Sequence, residues 1–460
     1  MSSGAVASDE LHIAMFPFFA FGHINSFIQL SNKLVLYGVR ISFLSAPGNI
    51  PRTKSSLLDS PKIQIIPLSI PPVEGLPPGL DSTSEMTPAM AETLKKALDL
   101  MHPQIKTLLS QLKPRLVVFD FVQSWVPRIA SELGIKSLFF STFSAVSDAY
   151  IDKRKQESHD FMKSPIGFPC TSLVSVKRYE AENFLYVFKS SDGSPSVYSR
   201  VSEAIKGCNA VIMKTFNELE RPYVDYLRSQ FQKPVLLSGP LVPEPPSGML
   251  EERWAKWLDQ FPSKSVVYCS CGSENFLSDD QIQELTLGLE LTGQPFFLVL
   301  NFPNDVVDKD AKLAEVLPQG FLERVKDRGI VHAGWVQQQL ILAHDSVGCY
   351  MCHSGFSSVV EAFMNDLQLV LFPIKGDQFL NAKFIAGDMK AGIEVNRRDA
   401  DGYFGREDVN VAVRTAMGDI HKDAYISIRE NHRKWREFLM NKEMQTKFIA
   451  HLVVELKTLA

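Results

Sequence analysis

Residues 344–362, HDSVGCYMCHSGFSSVVEA, bring several chemically reactive side chains together. The stretch supplies two thiols spaced as C-x-x-C, an imidazole directly behind them and a Ser-x-x-Glu pair. These residue types suit three different sites: a zinc centre, a hydrolase nucleophile or a helix start that binds phosphate. The surrounding sequence discriminates among the three.

A metal site is disfavoured because the ligand set is incomplete. A structural zinc site requires four ligands, and Cys349 and Cys352 have no second pair of matching spacing. Cys269 and Cys271 form C-x-C, and both pairs lie in apolar runs typical of strands, so we predict buried strand cysteines. A D-x-D pattern at 308–310 lies in the polar segment NDVVDKDAKL, which predicts a solvated acidic loop.

Two common enzyme motifs are also incomplete. A serine hydrolase needs G-x-S-x-G, whereas residues 352–356 read CHSGF. A dinucleotide-binding enzyme shows G-x-G-x-x-G after its first strand, whereas LHIAMF at 11–16 is followed by PFFAFGHINS with a single glycine. Neither class is predicted.

The remaining possibility is a helix start that binds an anion. SVGCYMC is predicted as a strand, and the chain then turns through His353, Ser354 and Gly355 into the helix FSSVVEAFMN. Unpaired backbone N–H groups and the helix dipole attract a phosphate at such a point. Ser358 and Glu361 equally fit a capping box, which is a purely structural role. The residues alone leave both interpretations open.

The elements that position this stretch are predicted from the alternation of strands and helices. At 460 residues the chain is long enough for two domains. Apolar runs alternate with helical patterns on both sides of the Pro-rich segment PLVPEPPSGML, which indicates two βα domains with parallel sheets. We therefore predict a domain over 1–239, a linker over 240–250, a domain over 251–435 and a C-terminal helix over 436–460 that packs back on the body. Ligands of open α/β sheets bind beyond the carboxyl ends of the strands, so we expect the site in a cleft between the domains.

Composition excludes several classes of protein. The net charge of −4 provides no electrostatic footprint for nucleic acid. The start of the chain lacks the pattern of a secretory leader, and no apolar run approaches the ~20 residues of a membrane span. Six cysteines in so long a chain suggest reduced thiols. These features predict a cytoplasmic protein without a membrane span.

The block from Trp335 to Gln378 resembles the signature box of plant family 1 UDP-glycosyltransferases. In that family the box reads W-A-P-Q, then H, then H-C-G-W-N-S-x-x-E, then D/E-Q. The matching positions in this sequence are Trp335, Gln338, His344, His353, Gly355, Ser358, Glu361, Asp377 and Gln378. FGHINSFIQLSNKL near the start and VVYCSCGSE after the linker extend the similarity across the chain. The resemblance implies an α/β protein of the GT-B fold, with two Rossmann-like domains facing each other across a cleft.

The resemblance also implies residue roles in binding a UDP-sugar donor. Trp335 would stack on uracil, Gln338 and Glu361 would hold the ribose, and Asp377 and Gln378 would contact the donor sugar. The complete set of implied donor contacts is Thr142, Ser273, Trp335, Val336, Gln338, His353, Gly355, Ser357, Ser358, Glu361, Asp377 and Gln378.

The catalytic group is expected in the first domain. In the family, a His in the G-H position and an Asp about a hundred residues later form the catalytic pair, and His23 and Asp120 match them. His23 lies in the predicted loop after the first strand and would act as general base, with Asp120 orienting it. Five aromatic residues suggest an apolar wall for the acceptor, and core packing is the alternative for each ring. They are Phe18, Phe19, Phe121, Trp125 and Phe143.

Departures from the usual box indicate a particular branch of the family. W-V-Q-Q replaces W-A-P-Q, Phe356 and Phe372 replace tryptophans, and Ser357 replaces an asparagine. These changes, with the segments Phe302–Val307 and 395–408, resemble enzymes that add a second sugar to a flavonoid or related glycoside. The expectation is a monomeric, inverting, metal-independent transferase that needs no cofactor. Its donor would be UDP-rhamnose, UDP-glucose or UDP-xylose and its acceptor a small-molecule glycoside. Two alternatives are a glucosyltransferase of a phenolic or terpenoid aglycone and a non-catalytic UDP-sugar-binding protein.

Overall fold

The computed structural model describes residues 10–83, 86–151, 158–190, 193–244, 246, 248–303 and 306–460. Residues 1–9, on which the predicted absence of a leader partly rests, lie outside these ranges. So do positions 245 and 247 of the predicted linker, and 304 and 305 of the segment that resembles one branch of the family.

Contacts divide the chain into two compact units. Unit 1 contains the chain up to Thr142 together with Val187–Leu241 and Glu443–Ala460. Unit 2 contains Phe143–Tyr186 and Val242–Lys442.

Strands and helices alternate along the described chain. Up to the unit boundary at Leu241 they are β1 (His12–Phe16), α1 (Phe21–Val35), β2 (Arg40–Ser45), α2 (Ile50–Ser56), β3 (Ile63–Pro67), α3 (Pro88–Asp99), α4 (His102–Leu112), β4 (Leu116–Phe119), α5 (Val126–Glu132), β5 (Lys136–Ser141), α6 (Ala145–Tyr150), α7 (Ser158–Phe161), α8 (Arg178–Phe184), α9 (Val197–Gly207), β6 (Ala210–Met213), α10 (Asn217–Phe231) and β7 (Val235–Leu237). After it they are α11 (Glu252–Leu258), β8 (Val266–Ser270), α12 (Asp279–Leu291), β9 (Phe296–Leu300), α13 (Lys309–Val316), α14 (Phe321–Val325), β10 (Gly329–Ala333), α15 (Gln338–Leu342), β11 (Val347–Cys352), α16 (Phe356–Met364), β12 (Gln368–Leu371), α17 (Asp377–Lys383), β13 (Ile393–Glu394), α18 (Arg406–Ala416), α19 (Lys422–Met440) and α20 (Lys442–Leu459).

Unit 1 is built on a parallel sheet with the strand order β3-β2-β1-β4-β5-β6-β7. Its central strands are continuous apolar runs, because a parallel sheet covered by helices is buried on both faces. The register pairs Phe16 of β1 with Phe119 of β4, and Phe119 with Phe139 of β5. The carboxyl ends of β1, β4 and β5 therefore lie side by side.

Unit 2 repeats this design with the parallel order β10-β9-β8-β11-β12-β13. Cys352 at the end of β11 is in register with Ser270 of β8 and with Leu371 of β12. Helix α12 packs closely on α18 because a Cβ at Gly288 would lie 2.5 Å from the Cβ of Val409. The two units thus confirm the predicted α/β class with Rossmann-like parallel sheets.

The C-terminal segment Glu443–Ala460 belongs to unit 1, whereas the helix before it, α19, belongs to unit 2. One helix was predicted at the end of the chain, but Asn441 has extended backbone and separates α19 from α20. Ile449, Leu452 and Leu456 of α20 are buried in the core of unit 1. Gly239 permits this packing, since a Cβ there would lie 2.9 Å from the Cβ of Phe448.

The segment from Phe143 to Tyr186 differs from the predicted domain boundaries. The predicted first domain, 1–239, includes it, but its contacts are with unit 2. The buried Glu180 carboxylate lies 3.0 Å from Lys383 Nζ, and Lys177 Nζ donates to the Arg397 carbonyl at 2.7 Å. These long-range bonds cannot be inferred from sequence order. Within the described ranges, none of the helices has the length and apolarity needed to cross a bilayer.

Candidate functional site

Three predicted residues of unit 1 meet because they follow neighbouring strands. His23 lies in the first turn of α1, Asp120 directly follows β4, and Thr142 directly follows β5. His23 was expected in a loop. The helix instead begins at Phe21, so the imidazole is carried by a helical backbone.

His23 and Asp120 form a hydrogen-bonded pair. Nδ1 of His23 lies 2.8 Å from Oδ2 of Asp120 and 3.1 Å from Oγ1 of Thr142. The carboxylate is 2% exposed and the imidazole 15%. Because a carboxylate only accepts, Nδ1 carries the proton in this contact and Nε2 carries the lone pair. This tautomer is the one that a general base requires.

Backbone donors fix the orientation of the carboxylate. The N–H of Phe18 donates to Oδ2 of Asp120 at 3.2 Å, and the N–H of Phe121 donates to Oδ1 at 2.8 Å. Asp120 also begins the 3₁₀ turn over Phe121–Gln123. Both oxygens therefore accept hydrogen bonds from backbone donors, which hold the carboxylate beside the imidazole.

The predicted acceptor aromatics divide into separate groups. The rings of Phe18 and Phe121 each lie 5.6 Å from the imidazole of His23 and so flank it. Phe19 has no exposed surface and packs on Phe16, so we assign it to the core. Trp125 is 7% exposed and its ring lies 4.1 Å from that of His102. The last member, Phe143, is half-buried and belongs to unit 2.

The predicted donor residues of unit 2 also follow strand ends. Trp335 and Val336 follow β10, Ser273 follows β8, the His353–Gly355 turn follows β11, and Asp377 begins α17 after β12. Because β8, β11 and β12 are neighbours in the parallel sheet, their carboxyl ends form one edge of unit 2. Ser273 is exposed at that edge.

His353 lies between two glycines. A Cβ at Gly272 would lie 2.7 Å from Cε1 of the imidazole, and a Cβ at Gly355 would lie 2.5 Å from Nε2. Burial, with a smaller contribution from Lys375, lowers the pKa of His353 to about 4. Nδ1 is buried and has no hydrogen-bond partner within the described residues. The side chain is therefore a neutral group with an unused polar atom.

Helix α16 starts at the end of β11 and exposes its amino terminus at the same edge. Gly355 is its N-cap and makes no side-chain cap, and the first N–H groups of a helix have no partner further along the helix backbone. Ser358 lies in the first turn, three residues after the N-cap. The capping box considered for Ser358 and Glu361 is therefore wrong, because the helix begins earlier than that motif requires. Ser357, in the same turn, is half-buried.

The residues expected at the nucleoside lie next to one another. Oε2 of Glu361 accepts from Nε2 of Gln338 at 2.9 Å, and Oε1 accepts from Gln339 at 3.2 Å. Trp335 is 70% exposed, whereas Val336 is buried at 5%. An exposed indole suits stacking on a base, and an amide–carboxylate pair suits the hydroxyls of a ribose.

Asp377 and Gln378 open α17, and each is held by its surroundings. Oε1 of Gln378 accepts from the backbone N–H groups of Ile374 and Lys375 at 3.0 and 3.1 Å. Oδ2 of Asp377 accepts from Nδ2 of Asn381 at 3.0 Å. Sequence reasoning missed Asn381 because the family box ends at Gln378, and its one signal was the i, i+4 spacing from Asp377.

The residues set aside as metal ligands have structural roles. Cys349 and Cys352 are buried in β11, and burial raises the pKa of the Cys352 thiol to about 12. Asp308 was predicted in an acidic loop but caps α13, accepting from the N–H of Ala311 at 2.9 Å. Across the described ranges, no group of three His, Cys, Asp or Glu side chains is arranged to hold a metal ion.

Comparison with known proteins identifies the family. A family model described as "UDP-glucoronosyl and UDP-glucosyl transferase" matches residues 262–436, and one described as "Glycosyltransferase, N-terminal domain" matches residues 9–243. The anthocyanidin-3-O-glucoside rhamnosyltransferase of Petunia hybrida is 57% identical over 462 residues, covering 99% of this chain and 98% of that protein. UDP-glycosyltransferase 79A6 of Glycine max is 53% identical and covers 99% of both.

A solved structure shows the same fold. The crystal structure of Glycyrrhiza uralensis UGT73P12 complexed with glycyrrhetinic acid 3-O-monoglucuronide matches with a TM-score of 0.78 at 22% identity, covering 98% of this chain and 96% of that one. The fold is thus GT-B, as predicted. With both halves of the sequence matched and the edge of each sheet carrying its expected residues, the chain belongs to the UDP-glycosyltransferase family and is an enzyme of that family.

Proposed function

We propose that this enzyme transfers rhamnose from UDP-rhamnose to a hydroxyl on the sugar of a flavonoid 3-O-glucoside. The observation that carries the substrate class is the 57% identity, over nearly the full length of both chains, to a protein named as an anthocyanidin-3-O-glucoside rhamnosyltransferase. The departures Phe356, Ser357 and Phe372 from the usual box support the same branch. UDP-glucose and UDP-xylose are the other donors to be tested.

The His23–Asp120 pair supplies the general base. Nε2 of His23 takes the proton of the acceptor hydroxyl as its oxygen forms a bond to the anomeric carbon of the donor sugar. The bond from that carbon to the diphosphate oxygen breaks, and UDP leaves with the electron pair. Asp120 stabilises the imidazolium that forms. A single displacement of this kind inverts the configuration at the anomeric carbon.

The amino terminus of α16 and His353 stabilise the charge that develops on UDP. The dipole at the amino terminus of a helix favours an anion, and Ser358 adds a hydroxyl in the first turn. His353 donates a hydrogen bond as a neutral imidazole, as its lowered pKa requires. With these donors fixed in place, we propose that transfer needs no metal ion.

The remaining contacts divide between the nucleoside, the donor sugar and the acceptor. Trp335 stacks on uracil, and the Gln338–Glu361 pair binds the ribose hydroxyls. Asp377 accepts hydrogen bonds from hydroxyls of the sugar. The rings beside His23, Phe18 and Phe121, favour an aromatic acceptor. A cytoplasmic, monomeric enzyme remains our proposal from the sequence.

Product analysis by mass spectrometry tests this function. Purified protein is incubated with a flavonoid 3-O-glucoside and, separately, UDP-rhamnose, UDP-glucose or UDP-xylose. We expect a mass gain of one deoxyhexose with UDP-rhamnose, and the same yield when EDTA is present. A gain with the free aglycone but not with its glucoside would favour the aglycone glucosyltransferase instead. No gain with any donor would refute transfer to this acceptor class.

A further inference from the structure

We propose that Asn381 is a positioning residue of the donor site, joining the side chain that contacts the sugar to the turn that contacts the diphosphate. The proposal rests on the function proposed above, which makes Asp377 a sugar contact and the His353–Gly355 turn a phosphate contact. Asn381 itself touches neither substrate in this account. It acts through the groups that it holds.

Asn381 uses its full hydrogen-bonding capacity in a fully buried position. Its exposure is 0%. Nδ2 donates to the Ser354 carbonyl at 3.1 Å and to Oδ2 of Asp377 at 3.0 Å. Oδ1 accepts from Oγ of Ser144 at 2.5 Å and faces Oγ of Ser147 at 3.3 Å. A primary amide has two donors and two acceptor sites, and all four are engaged.

These partners permit only one orientation of the amide. A backbone carbonyl and a carboxylate accept and never donate, so Nδ2 must face Ser354 and Asp377. The serine hydroxyls can donate and therefore lie on the Oδ1 side. An aspartate at this position has the same shape but cannot donate in its ionised form. It would place a carboxylate against both the Ser354 carbonyl and the Asp377 carboxylate.

The turn that Asn381 holds is strained. Ser354 has φ of +66°, in the left-handed region that non-glycine residues rarely adopt. Its hydroxyl is buried and has no partner within the described residues, so the side chain does not stabilise this conformation. Such a conformation persists only where the surroundings fix it. The bond from Asn381 Nδ2 to the Ser354 carbonyl is such a restraint on the turn between His353 and Gly355.

The orientation of Asn381 is set by a segment distant in sequence. Ser144 caps α6, accepting from the N–H of Ser147 at 3.3 Å, and α6 packs on α17. Phe143–Tyr186 is the segment that belongs to unit 2 although it lies between stretches of unit 1. Its first residues thereby help to orient the donor-contacting carboxylate of α17.

Donor discrimination provides the test. We would measure kcat/KM for UDP-rhamnose and UDP-glucose, with one acceptor, in wild-type enzyme, N381D, D377N and the double variant. N381D is expected to lower kcat/KM for the preferred donor about tenfold or more. It should also reduce the donor ratio, which is kcat/KM for the preferred donor divided by kcat/KM for the other donor. The KM for the acceptor should change less than about twofold. In the D377N background, N381D should no longer change the donor ratio, because the two residues act through one carboxylate.

The matched control is N410D in α18. Asn410 is also buried in unit 2, and its Nδ2 donates to a carboxylate, that of Glu407, at 3.1 Å. N410D therefore makes the same chemical change away from the donor edge and should keep the wild-type donor ratio. If N381D does not unfold in a cooperative thermal transition, S144A is measured in its place. S144A should also reduce the donor ratio, but by a smaller factor.

The outcomes separate this inference from the proposed function. The positioning role would be overturned if folded N381D or S144A kept the wild-type donor ratio. It would also be overturned if the effects of N381D and D377N on that ratio were fully additive. In both cases transfer itself would stand. Absence of transfer by the wild-type enzyme with any donor would instead refute the proposed function.

Discussion

Two histidines follow strand ends in this enzyme, one in each unit, and their environments differ in kind. His23 in unit 1 is partly exposed, and its Nδ1 is bonded to the carboxylate of Asp120 at 2.8 Å. His353 in unit 2 lies between two glycines, and burial lowers its pKa to about 4. A nearby carboxylate stabilises an imidazolium, whereas burial prevents its formation. The same side chain thus suits a proton acceptor in one unit and a neutral hydrogen-bonding group in the other.

The largest expected effect comes from removing the charge beside His23. In Asp120→Asn, an NH₂ group replaces one of the two carboxylate oxygens. It then faces either the N–H of Phe121, or the N–H of Phe18 together with Nδ1 of His23. In either orientation the imidazole loses the charge that stabilises its cation, and where the NH₂ faces Nδ1 it also loses the tautomer that a general base requires. We expect kcat to fall about a hundredfold to ten-thousandfold, measured as initial rates at saturating donor. A kcat within threefold of wild type, by contrast, would remove Asp120 from the mechanism.

Removal of the unit 2 histidine should weaken the binding of UDP. His353→Ala deletes a hydrogen bond to a charged ligand, so we expect affinity for UDP to weaken about tenfold to a hundredfold by calorimetry. Affinity for UDP-glucose in the wild type should be constant between pH 6.5 and 8, because a group with a pKa of about 4 stays neutral there.

His344 offers a matched control, since it belongs to the same box. Its Nδ1 contacts Oγ of Ser346 at 2.9 Å, and its Nε2 lies 3.2 Å from Asp259. His344→Ala should keep wild-type affinity for UDP. Equal losses in both variants would mean that His353 acts through general stability rather than through the diphosphate.

The glycines before and after these histidines should respond differently to a methyl group. A Cβ at Gly355 would lie 2.5 Å from Nε2 of His353, whereas a Cβ at Gly22 meets nothing within 4 Å. Gly355→Ala should therefore displace the imidazole and reduce the thermal shift caused by UDP. Gly22→Ala, in the first turn of α1, should raise the free energy of unfolding by up to about 1 kcal/mol. If UDP shifts the melting temperature of Gly355→Ala as much as that of the wild type, the position of the His353 imidazole is unimportant for binding UDP.

A third histidine separates burial from function and gives the smallest effect. His432 in α19 is fully buried beside Phe363, and burial lowers its pKa to about 4. The charges around it are Asp366, which favours the cation, and Arg429 and Arg436, which oppose it.

The unfolded chain binds a proton at His432 near pH 6.5, so its contribution to stability is present above pH 6.5 and is lost as the pH falls towards 4. His432→Leu should reduce that loss by roughly 1–3 kcal/mol, measured by urea unfolding at pH 7 and pH 4.5. His451→Leu, at a position whose side chain is 74% exposed, should have no such effect. If His432→Leu loses as much stability between pH 7 and pH 4.5 as the wild type does, groups other than His432 cause the acid sensitivity.

The predicted elements and the observed ones agree where the pattern is long and apolar. Strands such as β8, β9 and β11 are continuous apolar runs, and sequence alone predicted them. The strands β3, β6 and β7 were not predicted: β6 and β7 have only four and three residues, and no residue of β3 is fully buried. The start of α1 was placed too late because Gly22 and His23 are weak helix formers, although a helix carries them.

The candidate site was predictable only as far as the family box extends. His23 lies 97 residues before Asp120 and 119 before Thr142, and resemblance paired His23 with Asp120 and gave Thr142 as a donor contact. The sheet order explains why they meet. Asn381 was missed because it lies beyond the end of the family box, and its partner Ser144 lies 237 residues away. The assignment of Phe143–Tyr186 to unit 2 depends on equally distant bonds, such as that of Glu180 with Lys383.

The central claim is that proton removal belongs to unit 1 and UDP binding to unit 2. The most direct test measures two quantities on one variant, His23→Ala: the rate of sugar transfer and the affinity for UDP. The account predicts that transfer falls at least about a hundredfold while affinity for UDP stays within about twofold of wild type. Transfer at the wild-type rate, or a matching loss of UDP affinity, would contradict it.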